Sequence, residues 1–213
     1  MDFQEFENKI VKITKMKLPG ESVQFKMAPM ERLAELKRIA YKKNTARKAG
    51  VLVLFYPSEK NETHLALILR KTYKGVHSAQ IGFPGGKYED EDATLKVTAL
   101  RETEEEIGVF RDTISVLKKL TEVYIPPSNF FVQPYLGITS TNPIFKIQED
   151  EVEELLEVSL AHFMDDSIKT IQVLSTSYAK NIEVPAFMLN NHLVWGATAM
   201  MLNEVREMLK ELL

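Results

Sequence analysis

Residues 85–109 read GGKYEDEDATLKVTALRETEEEIGV and contain the strongest helical pattern in the chain. The spacing of its apolar residues predicts an α-helix from Ala93 to Ile107. Asp92 is the expected N-cap, because its side chain can accept hydrogen bonds from the free amides of the first turn. Gly108 is expected just past the C-terminal end, where glycine adopts the left-handed conformation at little cost.

The second half of this helix carries a concentration of carboxylates. At about 100° per residue, Glu105 and Glu106 fall within roughly 60° of Glu102, so the three share one face. Like charges at these spacings destabilise a helix by a few tenths of a kcal/mol per pair. A solvated acidic face is one interpretation, and a site for a divalent cation such as Mg²⁺, which prefers oxygen ligands, is the other. The apolar residues fall on the opposite side: Val97, Leu100 and Ile107.

Charge is distributed unevenly along the chain. Residues 89–106 contain eight acidic side chains against Lys96 and Arg101, which gives −6, so the remainder carries +3 of the net −3. Charge this concentrated must be solvated or neutralised by a cation. The mildly negative total argues against non-specific binding of nucleic acid.

Several classes of protein are excluded by composition. Cysteine is absent, which excludes disulfides, thiolate zinc sites and thiol nucleophiles. No apolar run approaches the roughly 18 residues of a spanning helix, and no signal peptide is recognisable. We therefore expect a cytoplasmic protein that binds neither membrane nor nucleic acid, and a homodimer stays open.

The remaining patterns predict one domain with an extension. Residues 1–48 have apolar side chains at helical spacing, interrupted by Pro19-Gly20. We predict an N-terminal helical extension (1–45), which could pack on the domain, form a dimer contact or shape the substrate entrance, and a domain (46–213) closed by a helix from Gly196. Strands mixed with two substantial helices predict an α/β or α+β sandwich. The predicted strands are Val51–Tyr56 and His64–Leu69, which form a hairpin, then Ile114–Tyr124, Phe131–Ile138, Ile168–Leu174 and Ile182–Leu189.

The segment from Gly86 to Val109 closely resembles the signature of the Nudix hydrolase family: a glycine, a spacer, Arg-Glu, two residues, Glu-Glu, one residue, glycine and an aliphatic residue. The family's glutamate eight residues before the arginine is Ala93 here, and the spacer is one residue longer, which makes Asp92 the candidate for the missing acid. The resemblance implies an α/β/α sandwich with a mixed sheet, and a hydrolase of diphosphate bonds that uses Mg²⁺ or Mn²⁺. The second half of the signature is complete: Arg101, Glu102, Glu105, Glu106, Gly108 and Val109.

A further likeness is to the coenzyme A diphosphatase branch of this family. It lies in the longer spacer and in five stretches: Arg47–Leu54, Leu65–Arg70, His77–Gly86, Ile125–Phe130 and Val194–Ala199. The resemblance implies a small nucleotide substrate, coenzyme A or an acyl derivative, cleaved to 3′-phosphoadenosine 5′-phosphate and 4′-(acyl)phosphopantetheine. The alternatives are a hydrolase of ADP-ribose or another nucleoside diphosphate derivative, and a non-catalytic regulator that binds a nucleotide.

The resemblance also implies roles for individual residues. Arg101 would orient a glutamate, and Glu102 would take part in catalysis as a metal ligand. The water molecule that attacks the diphosphate would be deprotonated by Glu105, which ranks first, or by a carboxylate within 149–154. The implied metal ligands are Glu102, Glu105, Glu106 and the Gly86 carbonyl. The expected substrate contacts are Arg47, Arg70, His77, Gln80 and Phe83.

Overall fold

The computed structural model describes residues 1–36, 45–71, 80–175 and 181–213. These residues form an eight-stranded mixed sheet and a three-stranded antiparallel sheet, with helices packed against them, which confirms the predicted mixed α/β architecture. The large sheet contains β1 Arg47–Pro57, β2 Thr63–Arg70, β3 Ile81–Gly82, β4 Gly85–Lys87, β5 Ile114–Lys119, β6 Val123–Ile125, β7 Phe130–Thr139 and β8 Val152–Ser159. The small sheet contains β9 Lys169–Leu174, β10 Ile182–Leu189 and β11 His192–Trp195. The helices are α1 Phe3–Ile10, α2 Glu21–Gln24, α3 Met30–Leu36, α4 Leu95–Ile107, α5 Leu160–Met164 and α6 Gly196–Leu212.

The central strand β1 organises the large sheet. It pairs in parallel with β7 over residues 47–55, and on its other edge it pairs with β2 only at 54–57. Beyond that point the two strands of the hairpin diverge. There β4 pairs with residues 49–51 of β1, and β3 pairs with residues 68–69 of β2. The β3–β4 segment therefore fills the gap and pairs directly with the central strand.

Helix α4 packs across β1. Its N-cap is Thr94, whose Oγ1 accepts from the amide three residues on at 3.3 Å, so the prediction of Asp92 as N-cap is wrong. Gly108 is the predicted left-handed C-cap, with a φ of 75°. Gly50 permits the close crossing, because a Cβ there would lie 2.1 Å from the first carbonyl oxygen of α4.

The face that α4 turns toward the sheet differs from the predicted apolar side. Val97 and Leu100 are only half-buried, although Ile107 is buried as expected. Small side chains on the buried face of α4 let the helix approach the sheet closely. Glu106 lies on the same face and is therefore buried as well. The predicted acidic face is therefore split, with Glu106 inside and Glu105 exposed. The buried residues of α4 are Thr98, Ala99, Thr103, Glu106 and Ile107.

Three other predictions need correction. The strand predicted at Ile114–Tyr124 is two strands, β5 and β6, separated by residues 120–122. The helical prediction for residues 1–48 holds in α1–α3, whereas Arg47 already belongs to β1 and residues 37–44 lie outside the described part. Strand β8 was not predicted, because its sequence is rich in glutamate. The glutamates face outward, while Val152, Leu156 and Val158 face the core.

The N-terminal extension packs into the main hydrophobic core. Phe3, Phe6, Ile10 and Ile13 are buried, and the ring centroids of Phe6 and Phe55 lie 5.1 Å apart. The extension is therefore anchored to the central strand, while its boundary at residue 45 stays a prediction. Among the described residues, no helix combines the length and apolar character that crossing a bilayer demands.

Replacing Phe6 with alanine is expected to lower the free energy of unfolding by about 3–5 kcal/mol, because the change leaves a cavity at a fully buried aromatic position. Urea unfolding followed by circular dichroism measures the effect. The matched control is Val11→Ala, at a side chain 47% exposed, which should change stability by less than about 0.5 kcal/mol. Equal stabilities of the two variants would show that the extension does not share the core.

Candidate active site

The site begins where the β3–β4 segment meets the C-terminal half of α4. Gly86 lies so close to Glu102 that a Cβ there would fall 2.3–2.4 Å from the three carboxyl atoms of the glutamate. Gly85, with a φ of 144°, donates its amide to Glu106 Oε2 at 2.8 Å. The two glycines thus bring backbone atoms against two of the three glutamates singled out in the sequence.

Glu106 is a buried carboxylate with one unsatisfied oxygen. Its side chain is 1% exposed, and burial raises its pKa to about 7 despite the neighbouring Arg70 guanidinium. Arg70 Nη1 forms an ion pair with Oε1 at 3.2 Å, but Oε1 accepts no hydrogen bond from the described residues. Arg70 Nη2 donates instead to the Gly85 carbonyl at 2.6 Å. A buried oxygen left without a donor is costly unless something else binds it.

Three carboxylates converge at Glu106. Glu102, Glu106 and Glu151 each place one oxygen within 4.8 Å of the other two. Burial raises the pKa of Glu102 as well, while Glu151 is exposed and comes from the acidic run before β8. Hard divalent cations prefer such oxygen donors, so these residues, named here the carboxylate cluster, could hold Mg²⁺ or Mn²⁺.

Stability of the metal-free protein should fall as pH rises, because Glu106 binds its proton more tightly in the folded chain. Its pKa rises from an ordinary 4.5 to about 7, so the folded state holds more protons between these values. The contribution of this proton to the free energy of unfolding is complete below pH 4.5 and is lost by about pH 7, and it amounts to roughly 3 kcal/mol.

Urea unfolding in EDTA at pH 5 and pH 7.5 tests this expectation. The difference in the free energy of unfolding between the two pH values should shrink in Glu106→Gln, since glutamine does not titrate. It should also shrink in wild type with saturating Mg²⁺. A wild-type difference identical to that of the variant would contradict the assignment.

Arg101 holds the acidic residues around the cluster in place. Its Nε and Nη2 donate to the two oxygens of Asp92, each at 3.0 Å, and hold the pKa of that carboxyl down at about 2. Arg101 Nη1 also forms ion pairs with Glu102 at 3.1 Å and with Glu105 at 2.9 Å. The bidentate partner of Arg101 is thus Asp92 and not a glutamate. Asp92 is buried and also accepts a hydrogen bond from the Thr98 hydroxyl. The residue next to the missing family glutamate therefore anchors the arginine.

The predicted ligand Glu105 occupies a different position. Its side chain is 48% exposed and paired with Arg101, and it is not among the three described carboxylates that converge. Its roles as metal ligand and base stay predictions. Glu151 was anticipated only as one of several acids in residues 149–154, because sequence spacing does not show which of them a loop brings to the helix.

Three of the five predicted substrate contacts line a cavity of about 660 Å³ that begins beside the cluster. Arg70, Gln80 and Phe83 line it together with Gly85 and Gly86. Arg47 stacks on the ring of a lining residue, with its guanidinium carbon 4.2 Å from the Phe130 centroid, and donates to the Ser128 carbonyl. His77 lies outside the described residues.

The cavity has lining residues that sequence reasoning did not anticipate. From the extension come Ala28, Pro29, Arg32 and Leu36, and from α6 come Met200 and Met201. None of these residues belongs to a motif with a chemical signature, so only the fold reveals them. Away from the carboxylates the wall is largely apolar.

Comparison with known proteins identifies the family. Residues 46–175 match the NUDIX domain. The chain is 29% identical over 172 residues to the "Uncharacterized Nudix hydrolase NudL" of Yersinia pestis (strain Pestoides F), a match that covers 76% of this chain and 80% of the relative. The Nudix hydrolase RenU of M. smegmatis has a TM-score of 0.53 at 15% identity, covering 79% of this chain and 88% of its own. A MutT/nudix family protein of Enterococcus faecalis has a TM-score of 0.52 at 15% identity, covering 97% and 74%. At this identity the two structures support the fold alone.

The fold, the family match and the NudL relatives define a hydrolase that acts on phosphorus-containing anhydrides. The chain belongs to the Nudix family, and its substrate contains a diphosphate. Nudix hydrolases generally use divalent ions such as Mg²⁺ or Mn²⁺. The carboxylate cluster has the donor chemistry for such an ion, and Glu106, which has one buried oxygen that accepts no hydrogen bond from the described residues, fits the role of a ligand.

Proposed function

We propose that the protein cleaves the diphosphate bond of coenzyme A or of an acyl-coenzyme A, releasing 3′-phosphoadenosine 5′-phosphate and 4′-(acyl)phosphopantetheine. One observation carries the proposal: a single cavity extends from Gly85 and Gly86, beside the carboxylate cluster, to an apolar wall that includes Trp195 and Met201. A substrate with a diphosphate and a long, weakly polar arm matches these surroundings. The sequence likeness to the coenzyme A diphosphatase branch supports the same substrate.

Glu102, Glu106 and Glu151 are proposed as ligands of the divalent ion, with the Gly86 carbonyl and Glu105 as further candidates. When bound, the ion supplies charge neutralisation at the diphosphate and lowers the pKa of a water molecule. The chain positions Glu106: the Gly85 amide donates to one carboxylate oxygen, and the other accepts no hydrogen bond from the described residues.

The substrate is proposed to contact residues at the same end of the cavity. Arg70 lies beside Gly85, where its guanidinium can donate to a phosphate oxygen. Gln80 and Phe83 also line the cavity and are proposed contacts. His77, which lies between Arg70 and Gln80 in the sequence, stays a proposed contact. Arg47, which stacks on the Phe130 ring of the cavity wall, is proposed as an outer contact of the nucleotide.

The base that deprotonates the water can be assigned by two matched substitutions. Glu105 is engaged by Arg101, whereas Glu151 is exposed within the cluster. We therefore expect Glu105→Gln to lower kcat less than tenfold and Glu151→Gln to lower it about 10²-fold or more, as loss of a general base does. Mn²⁺ titration of Glu151→Gln shows how much of its effect is loss of a metal ligand. Steady-state rates with saturating Mg²⁺ decide between them, and the reverse order would identify Glu105 as the base.

The substrate is tested by incubating the protein with coenzyme A, an acyl-coenzyme A or ADP-ribose and Mg²⁺ or Mn²⁺, then resolving the products by chromatography. We expect the two coenzyme A substrates to yield 3′-phosphoadenosine 5′-phosphate. Cleavage of ADP-ribose alone would overturn the substrate assignment and keep the enzyme class. Saturable binding of the compounds with no cleavage of any would favour a nucleotide-binding regulator.

A further inference from the structure

The apolar lining of the cavity comes partly from the family match at residues 46–175 and partly from chain on either side of it. The extension contributes three buried residues, Ala28, Pro29 and Leu36. The C-terminal part contributes Trp195 at the end of β11 and two methionines at the start of α6, Met200 and Met201. The NUDIX domain thus provides the phosphate end of the cavity and part of its apolar wall, and the two flanking segments complete that wall.

The two flanking segments are fastened to each other by α6. Glu204 is fully buried, and its carboxylate is saturated with hydrogen bonds. The neighbouring Asn203 donates to the Val23 carbonyl at 2.8 Å. These bonds fix residues 20–24 on the helix that carries the lining methionines, just before the chain reaches Ala28. The donors to Glu204 are the Gly20 amide at 3.1 Å, the Gln24 side-chain amide at 3.0 Å, the Thr121 amide at 3.2 Å and the Thr121 hydroxyl.

We propose that residues 20–36 and 195–204, named here the flanking wall, select the arm of the substrate, favouring a linear apolar acyl chain over a short or positively charged arm. Glu204 is the positioning residue of this wall and lies outside the reacting centre. The inference rests on the proposed function, because the arm must belong to a diphosphate that is cut at the carboxylate cluster.

The size and lining of the cavity support this class of ligand. A volume of about 660 Å³ lies in the range of small-molecule sites, roughly 300–1,000 Å³. Each methylene that leaves water for an apolar wall strengthens binding by about fourfold. An acyl chain enclosed by Ala28, Leu36 and Met201 would therefore raise affinity strongly, whereas a positively charged arm would lose its hydration there and face Arg32.

Trp195 allows the arm to be tested without any turnover. It is the only tryptophan in the chain and it lines the cavity, so its fluorescence reports occupancy. The probe is S-octanoyl-pantetheine, an acyl arm without the diphosphate, titrated in EDTA. We expect a saturable change with wild type and an apparent Kd at least tenfold higher in Ala28→Leu, which fills part of the cavity.

Glu204→Gln provides a second variant in case the larger side chain at position 28 prevents folding, which circular dichroism will show. Loss of the carboxylate weakens the bonds that hold residues 20–24, so we expect the apparent Kd to rise by threefold or more. The matched control is Tyr56→Phe. It removes one hydrogen bond, from Tyr56 to Glu157 at 2.7 Å, away from the cavity lining, and should behave as wild type.

Steady-state kinetics with octanoyl-coenzyme A and free coenzyme A give the second readout. We expect the ratio of kcat/KM between these substrates to fall at least tenfold in Ala28→Leu. In Glu204→Gln the KM for the octanoyl substrate should rise while kcat is retained, and Glu204→Ala should show a larger rise. A merely structural residue would instead lower kcat for both substrates in parallel.

The outcomes separate the two proposals. Wild type that binds the arm but cleaves neither coenzyme A substrate would overturn the proposed function and leave the binding role of the flanking wall. Wild type that cleaves coenzyme A, yet shows no Trp195 response to the arm or the same selectivity in folded Ala28→Leu and Glu204→Gln, would overturn the inference alone.

Discussion

Replacing Glu106 with glutamine is expected to lower kcat by about 10²–10³-fold while the fold is retained. A bound cation contributes several kcal/mol of transition-state stabilisation, and each 1.36 kcal/mol corresponds to about tenfold in rate. Glutamine keeps the shape of the side chain and an oxygen that can accept from the Gly85 amide, but it removes the negative charge next to Glu102 and Glu151.

The matched control lies on the same helix. Glu104 is also partly buried, but it is bonded to Arg111 and is not part of the carboxylate cluster. Glu104→Gln should therefore keep kcat within about twofold of wild type. Steady-state assays over a range of Mg²⁺ concentrations check both variants. Equal rates for Glu106→Gln and wild type would exclude Glu106 from the reaction.

Replacing Gly86 with alanine is expected to displace a metal ligand without unfolding the protein. The added Cβ would lie 2.3–2.4 Å from the carboxylate of Glu102, which is the movable end of a long side chain and not backbone. The chain can therefore relieve the clash by moving the carboxylate away. We expect the unfolding midpoint to change by only a few degrees and kcat to fall about 10²-fold or more.

Two other glycines calibrate this result. Gly82→Ala brings its Cβ no closer than 3.8 Å to the Arg70 side chain and should leave metal affinity unchanged. Gly50→Ala would clash at 2.1 Å with the backbone of α4 and should destabilise the fold. Thermal unfolding and Mn²⁺ titration of the three variants separate ligand displacement from unfolding. Normal Mn²⁺ affinity in Gly86→Ala would contradict the placement of Glu102 as a ligand.

Sequence patterns predicted the elements of this fold better than their contacts. The helix ending at Gly108 and the hairpin formed by β1 and β2 were both predicted, because glycine conformation and apolar spacing are local properties. The N-cap was misassigned because Asp92 and Thr94 are both good capping residues, and only the contact with Arg101 shows that the aspartate is used elsewhere.

The site was predicted in part for the same reason. Helical spacing placed Glu102 and Glu106 on neighbouring positions, and the structure brings them together. Spacing could not show that Glu106 is buried, since this depends on how closely α4 approaches β1 at Gly50. It also could not place Glu151, which a loop more than forty residues later brings to the helix.

The most direct test is calorimetric titration of Mn²⁺ into wild type, Glu102→Gln, Glu106→Gln, Glu151→Gln and the Glu104→Gln control at pH 7.5. We predict saturable binding to wild type and the control, and affinity at least tenfold weaker in each of the other three. Unchanged affinity in Glu102→Gln and Glu106→Gln would contradict a metal site built from these carboxylates.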